Sequence, residues 1–186
     1  MIDESPYRLQ PWLYLLLLLT SCGLVQGDDM HLSDTFTGKP QERWRFVTDQ
    51  VMGGVSTGNL RFEALQRQNV ARMTGNVSTE NNGGFIQFRR KLTAVSGSSV
   101  VVIRLRGNGE NYFIHLRTRG TFLPWQYYQL GFEVSNRWTE VLLPFRDFKA
   151  SSALLKKTPC PGDLRSIGVV AFGRDHRAEV EVLDCL

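Results

Sequence analysis

The sequence predicts an all-β fold, an antiparallel jelly-roll β-sandwich, on the basis of three observations. Apolar and polar side chains alternate along many short segments: Ile103 and Leu105, for example, alternate with Arg104 and Arg106. Clusters of Gly, Asn, Pro and Ser separate these segments, and apolar residues at helical spacing do not recur. A period of two is typical of strands with one buried face. Two such sheets cover their apolar faces by packing against each other.

Nine segments carry this alternation and are predicted to be strands, near residues 55–62, 69–77, 84–90, 99–106, 111–118, 127–134, 138–145, 167–173 and 178–184. The stretch 146–166 is predicted to be an irregular crossing with one helical turn. Gly83–Gly84 and Gly107–Gly109 are predicted to form hairpin turns. A chain of 186 residues with 42% hydrophobic residues can bury one core, and we place this single domain at 34–186.

The N-terminal 22 residues are predicted to be a signal peptide with a lipobox. The apolar run of residues 12–19 is shorter than the ~20 residues that a membrane-spanning helix needs. Leu19–Cys22 matches the lipobox pattern, which makes Cys22 the lipid attachment site; the alternative is cleavage near residues 25–27 with loss of Cys22. A short linker, 23–33, follows. The expected location is the periplasmic side of a bacterial membrane.

Export leaves two cysteines in an oxidising compartment, Cys160 and Cys185. There they are expected to form a disulfide that stabilises the fold by about 3 kcal/mol. The alternative is a pair of free, buried thiols.

The sequence contains few residues that favour catalysis, metal binding or nucleic-acid binding. The three histidines, His31, His115 and His176, lack metal-ligand spacing, so neither a metal nor another cofactor is predicted. Lys and Arg number 22 against 18 Asp and Glu, a net charge of +4 without a basic block. Scattered charge of this size is typical of a solvated surface, and no nucleic-acid binding is predicted.

One motif resembles a catalytic element. Gly54–Gly58 fits the Gly-x-Ser-x-Gly pattern of a serine nucleophile, with Ser56 at its centre. In a hydrolase that serine stands on a turn between a strand and a helix. Residues 59–62 instead alternate as a strand does, and the sequence lacks βα repeats. A serine hydrolase that uses Ser56 is therefore the least favoured function.

Several segments together resemble the complex I intermediate-associated protein 30 family. Trp44 is followed by Asp49–Ser56, which reads Asp-x-Val-Met-Gly-Gly-x-Ser, and matching segments follow in order at 75–85, 105–112 and 138–148. The resemblance spans about Asp34 to the C-terminus. It implies a galactose-binding-like jelly roll and, from mitochondrial relatives, an assembly-factor or chaperone role. An exported bacterial protein cannot meet the matrix arm of a respiratory complex, so the fold transfers better than that role.

Two sets of residues are candidate binding sites. Asp49, Gly53, Gly54 and Ser56 favour a tight turn or bulge, and ligand contact is the alternative. The second set is expected on neighbouring strands as one polar aromatic face, made of Arg104, Arg106, Arg117, Arg119, Trp125, Tyr127 and Tyr128. For Tyr128 and Trp138 a core position is the alternative, and for Trp138 it is preferred.

The sequence therefore predicts a non-enzymatic binding or assembly module that holds an unidentified protein partner on one face of the sandwich. The alternative is a carbohydrate-binding, lectin-like module, which the aromatic segment Phe122–Tyr128 suggests.

Overall fold

The computed structural model describes residues 34–93 and 99–185, which form two antiparallel β-sheets packed face to face. The predicted all-β sandwich is confirmed. The signal peptide with its lipobox Cys22, the linker 23–33 and His31 lie outside the described residues. Within the described part of the chain, no helix has the length and apolar character that spanning a membrane requires.

The first sheet has six strands, and each is hydrogen-bonded to the next in the order β1-β4-β10-β6-β7-β9. Their bounds are β1 Trp44–Thr48, β4 Phe85–Lys91, β6 Asn111–Thr118, β7 Tyr128–Glu133, β9 Lys149–Ala150 and β10 Leu164–Phe172. The second sheet has five strands in the order β2-β3-β11-β5-β8. Their bounds are β2 Thr57–Leu65, β3 Gln68–Val77, β5 Val100–Gly107, β8 Thr139–Pro144 and β11 His176–Cys185.

Within residues 34–93 and 99–185, helical structure is limited to single turns. One α-helical turn, α1, covers Pro40–Arg43, and four 3-10 turns cover Asp49–Met52, Glu80–Asn82, Phe145–Asp147 and Pro161–Asp163. All nine predicted strands are present. Strands β1 and β9 were not predicted, because they have only five and two residues and therefore give a weak periodic signal. The crossing 146–166 contains β9 and a 3-10 turn, so its irregular course is confirmed.

The alternating side chains close one core between the sheets. Ile114 and Leu116 of β6 and Ile103 and Leu105 of β5 are buried from opposite sides. Burying a side chain of this size stabilises a fold by about 1.5–3 kcal/mol. The period-two pattern thus determines which face of each strand is buried, and the alternate residues form the two outer faces on which a binding site can lie.

The glycine segments are not hairpin turns, which corrects the prediction. Gly83–Gly84 lies between β3 and β4, and Gly107–Gly109 lies between β5 and β6, and in both cases the two strands belong to different sheets. The chain crosses from one sheet to the other at these points. Tyr112 holds the second crossing, because its hydroxyl donates to Asn108 Oδ1 (2.9 Å) and accepts from Glu179 N–H (2.7 Å).

Cys160 and Cys185 are both free thiols, so the predicted disulfide is wrong. Cys185 ends β11 and belongs to the core, where burial raises its pKa to about 12. Cys160 is exposed in the crossing that leads to β10. Cys185 is therefore the free, buried thiol of the alternative, whereas Cys160 is free but exposed.

A buried ionic cluster fixes the start of the domain. The Asp34 carboxylate, which is 4% exposed, accepts hydrogen bonds from Trp44 Nε1 (2.8 Å) and Phe36 N (2.9 Å). It also pairs with Arg43 at 3.0 Å and with Arg90 at 2.6 Å. Burial by itself raises the pKa of Asp34, but these donors and charges outweigh it and hold the pKa at about 2.

Asp34→Asn is expected to lower the free energy of unfolding at pH 7 by about 2 kcal/mol, from the pKa difference between about 2 folded and the ordinary 3.8. A lowered folded pKa gives stability that is present above pH 4 and is lost as the pH falls towards 2. Urea unfolding from pH 7 to pH 2 should therefore show the two proteins converging in stability only below pH 4. A constant difference across that range would contradict this assignment.

Candidate functional site

A groove of about 580 Å³ crosses the outer face of the six-stranded sheet. Its floor is made by outward-facing residues of the three adjacent strands β4, β10 and β6: Phe85, Gln87, Arg89, Ser166, Gly168, Val170, Phe172, His115 and Arg117. These residues alternate with core residues such as Phe88 and Ile114. The same period-two pattern that builds the core therefore lines the groove.

Two projecting segments form the walls of the groove. The 3-10 turn after β1 carries Val51 and Met52, which are 73% and 60% exposed. The loop between β6 and β7 carries Pro124 and Trp125, and Trp125 is 62% exposed. In that same loop Phe122 is 83% exposed. Large apolar side chains therefore stand exposed on both sides of the groove.

Asp49 holds the first wall. Its buried carboxylate accepts four hydrogen bonds: from Ser56 N–H (2.9 Å) and Ser56 Oγ (2.5 Å), and from the amides of Gly84 (2.6 Å) and Phe85 (3.2 Å). Burial raises the pKa of Asp49, but the donors at Gly84, Ser56 and Phe85 together hold it below its ordinary value. The ionised carboxylate thus joins the turn to the start of β4.

The glycines of this motif make room for Asp49. A Cβ on Gly54 or on Gly83 would overlap the Asp49 carboxylate. Gly53 ends the turn with φ of 91°, a left-handed conformation that favours glycine. Asp49, Gly54 and Ser56 therefore support the wall. They form a tight turn, as the sequence predicted. Their alternative role as ligand contacts is wrong for Asp49 and Ser56, because both are fully buried.

Ser56 lacks the surroundings of a nucleophile. Its hydroxyl donates to Asp49 and accepts from Ser78 N–H at 2.9 Å. The residues that follow it form strand β2, and not the helix that a nucleophile elbow requires. The serine of the Gly-x-Ser-x-Gly match is thus hydrogen-bonded within the turn that Asp49 holds.

The second wall is held by polar side chains of its own loop and of neighbouring segments. Gln126, which is 4% exposed, accepts at Oε1 from the amides of Phe122 (2.9 Å) and Leu123 (3.0 Å). Arg117 Nη2 donates to the Leu123 carbonyl at 2.8 Å. Ser151 donates to the Trp125 carbonyl at 2.8 Å. The exposed rings of Trp125 and Phe122 are therefore carried on a well-bonded loop.

Part of the groove floor is formed by stacked aromatic rings that carry no charge at pH 7. The rings of His115 and Tyr127 stack with centroids 4.1 Å apart and planes 13° apart, and Phe172 meets His115 edge-on at 5.8 Å. Burial lowers the pKa of His115 to about 4, so the imidazole is neutral at pH 7. His115 and Tyr127 together offer a flat, weakly polar platform.

The predicted polar aromatic face is divided between two surfaces, which corrects the prediction. Arg104 and Arg106 lie on the outer face of the five-stranded sheet, where they pair with Asp184 and Glu181. Arg117 lies in β6, which follows β5 in the chain but belongs to the six-stranded sheet. It therefore cannot share a face with Arg104 and Arg106 of β5.

Three further aromatic and basic residues have distinct positions. Tyr128 is 2% exposed and belongs to the core. Trp138 is 38% exposed and lies under the Arg106 guanidinium at 4.9 Å, so its preferred core position is wrong. Arg119 pairs with Asp163 outside the groove. Of the second candidate set, only Arg117, Trp125 and Tyr127 meet in the groove.

Sequence reasoning missed Val51, Met52, Arg89 and Phe172 as groove residues. A signal for the first two was present, since both are apolar residues within a turn-forming motif. Among the residues that the structure describes, no cluster of three or more His, Cys, Asp or Glu side chains is arranged to hold a metal ion.

Solved structures share this fold. A family 11 carbohydrate-binding module from a Clostridium thermocellum cellulase superposes with a TM-score of 0.64 and 12% identity, over 82% of this chain and 91% of that chain. The Clostridium thermocellum family 11 module in complex with a β-1,3-1,4-mixed-linked tetrasaccharide gives 0.60 and 13%, over 82% and 91%. A family 30 carbohydrate-binding module gives 0.51 and 12%, over 72% and 91%. At this identity the similarity shows a common fold.

Sequence comparison gives the family. No curated protein matches the chain significantly. The family profile described as complex I intermediate-associated protein 30 matches residues 34–176, which include the Asp49 turn and most of both sheets. This confirms the resemblance that the motifs suggested, and the chain belongs to the complex I intermediate-associated protein 30 family.

Proposed function

We propose that this chain is a non-enzymatic binding module of the assembly-factor type, and that its groove holds a segment of a protein partner. The observation that carries the proposal is the pair of walls, on which Val51, Met52 and Trp125 are all more than half exposed across an aromatic floor. Exposed apolar groups gathered at one site are typical of interaction surfaces.

The bonding of the walls supports this proposal. Val51 and Met52 project from a turn whose neighbouring Asp49 carboxylate accepts four hydrogen bonds. Trp125 projects from a loop held by Gln126 and Ser151. Little backbone freedom therefore remains to be lost on binding, and pre-organised aromatic anchors supply most of the affinity at interfaces. Aliphatic contacts such as Val51 and Met52 suit a protein better than a sugar.

Site-specific photo-crosslinking tests the proposal. A photoreactive amino acid at Met52 or at Pro124, exposed lining residues on the two walls, is expected to crosslink the same partner from membranes. The matched controls are Leu142 and Leu154, which are 60% and 83% exposed but do not line the groove. The same reagent there should not capture that partner. Equal capture at all four positions, or capture at the control positions alone, would contradict a groove-centred site.

A second candidate function, carbohydrate recognition, is favoured by the exposed Trp125 ring beside the His115–Tyr127 stack. Aromatic rings in such positions stack on sugar rings, and this fold is shared with carbohydrate-binding modules. A glycan array separates the two functions. Saturable glycan binding that is lost in Trp125→Ala and retained in Trp138→Ala would favour the carbohydrate reading over a protein partner.

The location is part of the same proposal and rests on the sequence alone. A lipid on Cys22 would tether the domain, through the linker 23–33, to the periplasmic side of a bacterial membrane. Mass spectrometry of the mature N-terminus is the test. A diacylated or triacylated Cys22 is the expected result, and an N-terminus at Met1 would overturn the export proposal.

A further inference from the structure

Arginines on the two outer faces of the sandwich differ in the ion pairs that they form. On the five-stranded sheet Arg72 of β3 pairs with Glu179 at 2.6 Å. Arg106 of β5 pairs with Glu181 at 2.6 Å, and Arg104 pairs with Asp184. Each of these three guanidinium groups therefore has a carboxylate partner within the fold.

The groove face lacks such compensation. Arg45 of β1 and Arg89 of β4 are directly opposite each other in the strand register, and both point outward. Arg117 of β6 lies in the same groove as Arg89. Among the described residues these three arginines form no ion pair, and the described lining of the groove contains no Asp or Glu. Burial and then the charge of Arg89 lower the pKa of Arg117, which shows that the two cations repel each other.

The backbone between these arginines leaves space for a ligand. Gly168 of β10 pairs with Arg89 on one side and with His115 on the other, and it has no side chain to fill the floor. Arg117 is oriented by its hydrogen bond to the Leu123 carbonyl at 2.8 Å. The two guanidinium groups therefore flank an open stretch of floor that adjoins the wall carrying Trp125.

Like charges close together on one sheet face are destabilising, and Arg45 and Arg89 occupy directly opposite strand positions. A carboxylate placed between Arg89 and Arg117 would relieve the repulsion between those two cations and accept the charge-assisted, two-pronged hydrogen bonds that guanidinium groups form. The two cations lie beside apolar walls. A ligand that is acidic at one end and apolar at the other would therefore match this site.

We propose, building on the proposed function, that the partner segment held in the groove is acidic. Its Asp or Glu side chains pair with Arg89 and Arg117, and its apolar side chains contact Met52 and Trp125. The acidic residues set the orientation of the segment, since the arginines lie at one part of the groove and the exposed apolar side chains lie on its walls.

An array of short peptides of randomised sequence tests this, with the mature domain as the probe. Peptides bound by the wild-type protein are expected to be enriched in Asp and Glu together with apolar residues. In the variant Arg89→Glu/Arg117→Glu, acidic peptides should bind at least about tenfold more weakly, and the preference should change to Lys and Arg. The matched control is Arg137→Glu/Arg146→Glu, which reverses two exposed charges outside the groove and should keep the acidic preference.

A second variant covers the case in which the reversal disturbs folding. Arg89→Gln/Arg117→Gln removes the charges but keeps side-chain N–H donors at both positions, so it should keep the wild-type fold and should lose the preference for Asp and Glu. Wild-type binding without enrichment in acidic residues, or an acidic preference that survives in both groove variants, would overturn the inference and leave the proposed function standing. A wild-type protein that selects no peptide on the array would count against the proposed function itself.

Discussion

Asp49→Asn is expected to destabilise the domain by about 3 kcal/mol and to release the wall that carries Val51 and Met52. The change keeps the size of the side chain but turns one carboxylate oxygen into an NH2 group. At Oδ2 the carboxylate accepts three hydrogen bonds, from Ser56 Oγ, Gly84 N–H and Phe85 N–H. An amide fits this site badly in either orientation. Its NH2 group faces either the Ser56 N–H or the three donors at Oδ2, and every donor that it faces loses its acceptor. Each buried donor left unsatisfied costs about 1–3 kcal/mol.

Urea unfolding at pH 7 measures this loss, and the matched control is Asp147→Asn. Asp147 has a half-exposed side chain with one long contact, to Arg146 at 3.9 Å, so its replacement should change stability by less than about 0.5 kcal/mol. A loss at Asp49 as small as that at Asp147 would show that the four hydrogen bonds do not hold the turn.

The glycine beside Asp49 gives an independent check through a double-mutant cycle. A Cβ on Gly54 would overlap the Asp49 carboxylate, and the φ of Gly54 is not in the left-handed range. Gly54→Ala is therefore expected to be strongly destabilising in the wild-type protein and much less so in an Asp49→Gly background, where both the carboxylate and the Asp49 Cβ are removed. Additive effects of the two changes would contradict the steric account.

Trp125→Ala is expected to weaken partner binding by about 10- to 100-fold while leaving stability unchanged within about 0.5 kcal/mol. The ring is 62% exposed, so its removal leaves no cavity in the core. Across the groove Met52→Ala should act in the same direction with a smaller effect, since it removes less contact area. Titration with the partner captured by the groove crosslinks measures the affinity, and thermal unfolding measures the stability.

Trp138→Ala is the matched control for this prediction. Trp138 is also partly exposed, at 38%, but it lies near Arg106 on the other sheet. Its removal should leave the affinity within about twofold of the wild-type value. Equal losses at Trp125 and Trp138 would place the interface elsewhere than the groove.

The candidate site was predictable from the sequence only in part. Arg117, Trp125 and Tyr127 were proposed together and do meet in the groove. Asp49 and Ser56 were identified through their motif, but only the structure shows that they support the wall from inside the fold. Arg89 and Phe172 come from β4 and β10, far apart in the sequence. Short-range patterns do not reveal which distant strands become neighbours.

The sequence by itself determined nine of the described strands, all but β1 and β9, and the buried face of each, because alternation with period two depends only on neighbouring residues. Which sheet each strand joins was decided by tertiary structure. The segments at Gly83–Gly84 and Gly107–Gly109 look like hairpin turns locally, yet each carries the chain across to the other sheet. That choice places Arg106 and Arg117 on opposite surfaces of the molecule. It depends on long-range pairing and on closing one shared core, which no local pattern encodes.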